Sequence, residues 1–458
     1  MKHLLFLYCA MTMVACTTEP KIDYALLSGQ VINTTADKIT LNGVDFNQDI
    51  SIKPDGTFAD TLKLAEPGFY DFSIGREATK VYLKNGANLN ISVDQNLFDE
   101  TIKYTGVGSV ENNYLAAKQL NVEKHTDNSQ ELYMLEESAF KEKVEALKQS
   151  NEMLLTALID ADASFIADET KNLEYDSYSM LNSYEGSHKY YTKNEDFKVS
   201  DDFLPEGLKQ LTFDDAKAYK NSSSYKNMAL RNVLDEIFES IGDDYQNTST
   251  ENLKTITEIK ISALKNDVIS YLGRFLVSPG NPNMESLYTF FVNNATDSKI
   301  KENLDLTYAK AKDLVRGKPS PQFNNYENHK GGTLSLADLK GKYVYIDVWA
   351  TWCGPCKREI PFLKEVETQF HGKNIEFVST SIDVAKDHDK WTTMVEEMEL
   401  GGIQLFADND WKSKFVTDYA IDGIPRFILV DPDGNIVSAD APRPSNPKLV
   451  ELFNSLKI

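Results

Sequence analysis

The stretch "KYVYIDVWATWCGPCKREIPFLKEVETQF", Lys342 to Phe370, decides the fold of the last third of the chain. Lys342 to Ala350 is a β-branched and aromatic run, the pattern of a buried strand. Cys353 and Cys356 follow at once. Ile360, Leu363, Val366 and Phe370 then recur at helical spacing, which predicts a helix with one apolar face. Cys353 is therefore expected where strand turns into helix, and Cys356 one turn inside. The free N–H groups and partial positive charge of a helix start favour a thiolate. Cys353 is thus expected to be exposed and nucleophilic. Cys356 is close enough to attack the mixed disulfide that Cys353 forms. Gly354 and Pro355 keep the turn tight, and proline suits a first helical turn because it has no N–H to leave unpaired.

Two other chemistries use such cysteines. A CxxC pair is half of a structural zinc site, which takes four protein ligands. No second cysteine pair exists, and His329, His371 and His388 show no HxxxH spacing, so no metal is expected. A peroxidatic cysteine would follow a proline–threonine context, which is missing here. No cofactor is expected beyond the dithiol itself.

Downstream, strands at "IEFVSTSID" and "IQLFA" alternate with helices near "KWTTMVEEM" and "WKSKFVTDYA". "RFILVDPDGNIVSA" reads as a hairpin around Pro432-Asp433-Gly434, and "PKLVELFNSL" as a final helix. Alternation of this kind gives an α/β sheet. Upstream, residues 22–106 carry six or seven short alternating runs, among them "ALLSGQVIN", "FYDFSIG" and "NLNISVD". Turn signals such as Asn85-Gly86 separate them, which predicts a small antiparallel β-sandwich or barrel. Residues 107–315 read as helical, including a Tyr-rich patch, "YDSYSMLNSYEGSHKYY", expected to be inter-helix packing. "RGKPSPQF", Arg316 to Phe323, reads as a proline-stiffened linker into the last domain, 316–458.

The whole is a multidomain chain: 458 residues exceed one ordinary domain. A composition 41% hydrophobic and 26% charged is that of a globular protein with real cores. A formal charge of −22 repels phosphate backbones, so no nucleic-acid partner is expected.

The N-terminus opens "MKHLLFLYCAMTMVAC". Lys2, a short apolar run and Ala15 make residues 1–15 a secretory signal, too short to anchor by spanning. "MVAC" resembles a bacterial lipobox, with Met13 in place of the usual leucine. Cys16 is then the acylated N-terminus, residues 16–21 a lipidated tether, and the protein membrane-held through its lipid. An ordinary cleaved signal is the alternative. Cys9 leaves with the signal, so Cys353 and Cys356 are the only free thiols expected in the mature chain.

The last third resembles the TlpA/ResA-like extracytoplasmic branch of the thioredoxin family. The resemblance rests on Trp352-Cys353-Gly354-Pro355-Cys356, on "GIP" at Gly423 to Pro425, and on Pro361 inside the active-site helix. It implies a thioredoxin-like fold, a redox disulfide between Cys353 and Cys356, and a cis-proline at Pro425 opposite the dithiol. It implies client contacts at Trp352, Gly354, Pro355, Ile424 and Pro425, with Trp349 and Trp352 packed around the dithiol. Asp347 falls on the family's buried carboxylate, a proton acceptor for Cys356, and Glu359 on a glutamate used by ResA-like proteins. The first 315 residues resemble the β-domain and helical region that precede such modules in Bacteroidetes-type lipoproteins.

The function implied is an extracytoplasmic thiol-disulfide oxidoreductase in the cell envelope, lipid-anchored and periplasmic, acting on disulfide-containing client proteins. The Gly-Pro dipeptide is that of thioredoxin, a reductant near about −270 mV, against about −120 mV for the oxidant DsbA. A reductase in an oxidising compartment needs a membrane electron donor of the DsbD or CcdA type. A disulfide isomerase or oxidant, or a peptide- or glycan-binding lipoprotein with an accessory redox domain, are the alternatives.

Overall fold

The computed structural model describes residues 22–43, 46–242 and 245–458. The expected signal segment, Cys16 and the whole of the tether lie outside the described residues. The chain divides into two compact units, 1–229 and 230–458. The division falls inside the stretch read from sequence as one helical region, 107–315.

Among the described residues of the first unit, eight strands form two four-stranded sheets: β1 (Ala25–Ile32), β2 (Lys38–Gly43), β3 (Phe46–Ser51), β4 (Thr57–Leu62), β5 (Gly68–Ile74), β6 (Glu77–Leu83), β7 (Asn88–Asp94) and β8 (Lys103–Val107). The sheet orders are β4-β1-β7-β8 and β3-β2-β5-β6. Alternating residues of both sheets, such as Leu27, Leu41, Phe72 and Ile91, share one buried core, the arrangement of a sandwich. The expectation of a wholly antiparallel domain needs one correction: β1 and β7 run parallel. A parallel pair needs a long crossover, and the intervening β2–β6 supply it.

The helix Ser109–Thr126 closes the exposed edge of β6. Asn112 accepts from the Tyr82 N–H at 2.8 Å and donates to the Tyr82 carbonyl at 2.9 Å. One side chain thus satisfies backbone groups that an open edge leaves unpaired. The Tyr-rich patch lies on the helix Ala163–Thr192. Its Tyr184 is buried and stacks on Phe140 and Phe203, with ring centroids 4.4 and 4.9 Å away.

In the second unit, helices Ser262–Leu276, Met284–Asn294 and Ser298–Ala311 precede a seven-stranded sheet. Its strands are β9 (Tyr326–Asn328), β10 (Thr333–Leu334), β11 (Tyr343–Trp349), β12 (Ile375–Ser381), β13 (Ile403–Phe406), β14 (Arg426–Val430) and β15 (Ile436–Ser438), in the order β10-β9-β13-β12-β11-β14-β15. Central β11 runs parallel to β12 and antiparallel to β14. Val344, Ile346 and Val348 of β11 pack on one face with Trp391 and Phe415. Tyr345 points the other way, against Leu363 and Val366 of the helix Gly354–Gln369 and Phe453 of the helix Lys448–Ser455. Asp347, two residues on, shares the Tyr345 face.

The segment read as a linker is not free. Gly317 N–H donates to Ile436, Ile436 N–H to Lys318, and Ser320 N–H to Gly434, at 2.8 to 3.0 Å. Leu314 is buried in the core of the sheet domain. The prolines hold this segment extended, and an extended segment can pair with β15, the edge strand it covers.

Candidate active site

β11 ends at Trp349, and the helix Gly354–Gln369 begins five residues later. Cys353 is the N-cap, and its Sγ accepts the Cys356 N–H at 3.1 Å. That hydrogen bond, at the positive end of a sixteen-residue helix, favours negative charge on Cys353 sulfur. The structure holds the oxidised form: Cys353 and Cys356 are joined as a disulfide, with Cα atoms 5.3 Å apart. Cys353 is only 3% exposed, as buried as Cys356. This corrects the expectation of an exposed first sulfur. In the disulfide both sulfurs turn toward each other and into the core that holds Trp349 and Ile382.

The loop before Cys353 hangs on a residue that sequence reasoning missed. Asp383 is 1% exposed. Its carboxylate accepts from the Thr351 N–H and hydroxyl, at 2.8 Å each, and from the Ser381 hydroxyl at 2.7 Å. The signal was present in "IEFVSTSID", where a carboxylate directly follows a buried run.

The register of β11 with β14 brings the second loop alongside. Val348 pairs with Arg426, so Pro425 lies at the sheet end from which the dithiol loop departs. The Ile424–Pro425 peptide is cis. Ile424 packs against the cluster that contains both cysteines. Trp349 is buried in that cluster, whereas Trp352 is 56% exposed. The Trp352 ring lies 6.3 Å from that of Trp411, a second aromatic the sequence did not single out. Pro355 is exposed in the first helical turn, and Pro361 sits inside the helix.

Asp347 is buried on β11, on the face that Ile360 and Leu363 of the active-site helix cover. Cys356 precedes Ile360 by four residues, so the two share one helix face. Burial pushes the Asp347 carboxyl up to about 8, and the charges of Glu359 and Glu367 push the same way, against a hydrogen bond from Ser379. A carboxyl poised near neutrality suits proton exchange with a thiol. Glu359 is not aimed at the dithiol. It accepts from the Ser445 N–H and hydroxyl, at 3.0 Å each. Glu367, also missed from sequence, is one of several helix glutamates; burial pushes it up to about 7, with Lys364 opposing. Among the described residues no cluster of three or more His, Cys, Asp or Glu could hold a metal ion.

The AhpC/TSA family matches residues 316–439. The thiol-disulfide oxidoreductase ResA of Bacillus thuringiensis is 29% identical over 131 residues, 28% of this chain and 72% of that protein. ResA of Bacillus subtilis is 25% identical over 150 residues, 33% of this chain and 80% of that protein. Among solved structures, a Bacteroides vulgatus thiol-disulfide oxidoreductase is 54% identical, covering 31% of this chain and 92% of that one with a TM-score of 0.28. With a strand–turn–helix dithiol, a cis-proline loop in register beside it and the ResA relatives, the C-terminal third of the chain is a TlpA/ResA-like thioredoxin-fold thiol-disulfide oxidoreductase module.

Proposed function

We propose that the protein is an extracytoplasmic reductase of protein disulfides, anchored to a bacterial membrane through Cys16. The observation that carries the chemistry is the Cys353–Cys356 disulfide at a helix start, with the Cys356 N–H aimed at Cys353 sulfur. In the reduced form Cys353 attacks a client disulfide. Trp352, Gly354, Pro355, Ile424 and Pro425 form the surface that receives the client chain. Cys356 then attacks Cys353 sulfur as Asp347 takes its proton. Glu359 acts at a distance, through its charge on Asp347. A DsbD- or CcdA-type membrane donor returns the dithiol to the reduced state.

The direction follows from the Gly354-Pro355 dipeptide. Equilibrating the full chain with glutathione buffers and counting alkylated cysteines gives its potential. A value near about −270 mV supports a reductase, and one near about −120 mV supports the oxidant or isomerase reading instead.

A second reading has one observation in its favour. The N-terminal unit carries an open cleft of about 360 Å³ lined by Phe69, Lys118, Glu169, Asn172 and Asp176. Lys118 is held there by Glu169 at 2.7 Å and Asp176 at 2.9 Å. A cleft of this size with a few fixed polar groups suits a small peptide or glycan segment. Ligand capture by a chain in which both cysteines are replaced by alanine supports that reading.

A further inference from the structure

Behind Asp347, on the side of the sheet covered by the active-site helix, lies a cavity with about 10 Å³ open to the centre of a water-sized sphere. That is room for about one water. Its polar lining comes from three strands and a helix: Asp347 and Trp349 of β11, Ser379 of β12, Gln404 of β13, and Lys364 and Glu367 of the active-site helix. Asp347 Oδ1, Trp349 Nε1 and Gln404 Oε1 are all buried and without a hydrogen-bond partner. Buried polar atoms are rarely left unpaired, and here two acceptors and a donor line one small space. They are the set that a single water satisfies.

Glu367 stands at the outer wall of this cavity. A Cβ built on Gly401 would lie 2.1 Å from Glu367 Oε2, and one on Gly402 3.0 Å from Oε1. The carboxyl therefore lies over two glycines, and the first leaves it no room for a side chain. Glu367 is half-buried, between the cavity and solvent. Lys364 does not neutralise it by contact; its ammonium donates to the Met398 carbonyl at 2.5 Å. The other charged group that acts on Asp347 is Glu359, tied to Ser445. The Tyr345 hydroxyl is turned away, to the Pro442 carbonyl at 2.7 Å.

We infer that Glu367 is the proton outlet of Asp347: a water held by Asp347, Trp349 and Gln404 passes the proton to the Glu367 carboxyl, which releases it to solvent. The inference rests on the proposed role of Asp347 as base. In the resolving step the Cys356 S–H bond breaks and its proton goes to Asp347. The sulfur electron pair forms the bond to Cys353 sulfur as the bond from Cys353 to the client sulfur breaks. The client leaves as a thiolate and takes a proton from solvent. Asp347 is then protonated and buried, and it must lose that proton before it serves again. Both carboxyls titrate near neutrality, Asp347 at about 8 and Glu367 at about 7, so neither traps the proton. Glu367 is a positioning residue in this scheme, since it acts through Asp347.

The test uses the full chain, an excess of a fluorescent client disulfide peptide and a saturating chemical reductant that regenerates the dithiol, so that client release is read over repeated turnovers, each of which needs Asp347 emptied of its proton. Client release is followed from pH 6 to pH 9 for wild type, Glu367→Gln, Gly401→Ala and Asp347→Asn. Glu367→Gln is expected to slow release by about tenfold near neutral pH and to move the midpoint of its pH profile downward, because a like charge beside Asp347 is gone. Gly401→Ala, which pushes the carboxylate out of the cavity without removing it, is expected to slow release in the same way. Carbon-13 carboxyl NMR of Asp347 supplies a readout that does not depend on turnover: its titration midpoint falls in Glu367→Gln. A packing role alone would change stability and leave the profile and the midpoint in place. If Asp347→Asn slows release while Glu367→Gln reproduces the wild-type rate, the outlet is overturned and the base survives, whatever the midpoint does. If Asp347→Asn releases client at the wild-type rate, the base assignment falls and takes the outlet with it.

Discussion

Thr351 gives both its backbone N–H and its hydroxyl to Asp383, at 2.8 Å each, two residues before Cys353. The end of β12 thereby holds the dithiol loop, since Asp383 lies two residues beyond the strand and also accepts from Ser381. Asp383→Ala leaves two hydroxyls and one N–H without their acceptor in a dry site. The expected loss is about 2–4 kcal/mol of stability, read from denaturant midpoints. Asp383→Asn keeps one acceptor oxygen and is expected to lose roughly half as much. Equal stability of the alanine variant and wild type would mean that the loop does not depend on this carboxylate.

Much of the redox module is legible in the sequence because its signals are local. A β-branched run, a CxxC at a helix start and an apolar stripe each span fewer than twenty residues and fix the strand–turn–helix around Cys353. "GIP" at Gly423–Pro425 is legible only through its family pattern; its place beside the dithiol comes from the Val348–Arg426 register. Trp411 and Glu367 are not legible in that way, and Asp383 shows only as a carboxylate at the end of a buried run, which does not name its partner. Each owes its role to a partner far along the chain: Trp352, Gly401 and Thr351. In the N-terminal unit the strands are legible as alternation, but the parallel pairing of β1 with β7 is a tertiary choice that no local pattern encodes. The segment at Lys318–Ser320 misleads because proline pairs mark a free linker and a covered sheet edge equally well.

The roles of the two cysteines separate in an alkylation experiment. Cys353 sulfur receives the Cys356 N–H at the helix start, so its thiolate is favoured. In the reduced protein at neutral pH, Cys353 is expected to alkylate first, with sites read by mass spectrometry. Cys353→Ala is expected to abolish insulin reduction. Cys356→Ala is expected to stop at mixed disulfides with clients, which can then be identified. First alkylation at Cys356, or activity in Cys353→Ala, would reverse the assignment.

The boundary of the redox module is set by Leu314 and by the pairing of Gly317–Ser320 with Gly434 and Ile436. A chain beginning at residue 312 keeps both, and one beginning at residue 321 loses both and bares the β15 edge, while keeping Phe323 in the core. The shorter chain is expected to unfold about 2–3 kcal/mol more easily, from one large buried side chain and its lost backbone pairing. Superimposable melting curves would show that the segment is a linker after all.

The anchor is tested on the native protein. "MVAC" motivates it, and Cys16→Ala is expected to abolish lipidation and release the protein from the membrane fraction. Mass spectrometry of the wild-type N-terminus is expected to find an acylated Cys16. A soluble mature form that begins elsewhere would remove the anchor from the proposal.

Asp347 makes stability depend on pH in a direction opposite to that of a salt-bridged carboxylate. Its ordinary value in an unfolded chain is about 3.9, and in the fold burial first, then Glu359 and Glu367, push it up to about 8. Between these values the unfolded chain has given up the proton and the folded chain still holds it. The folded state therefore binds more protons, and stability falls as pH rises through this window, then levels off above about 8. Asparagine cannot ionise, so Asp347→Asn escapes the penalty. The variant is expected to match wild type near pH 4 and to exceed it by on the order of 2–4 kcal/mol at pH 8. Glu367→Gln is expected to move stability in the same direction over a narrower window, ending near the value of about 7 to which burial raises that group. Denaturant titrations of wild type and both variants at each pH check the sign. A stability difference between Asp347→Asn and wild type that stays flat from pH 4 to pH 8 would show that Asp347 is ionised in the fold throughout, and it would then be unable to hold the proton it is proposed to take from Cys356.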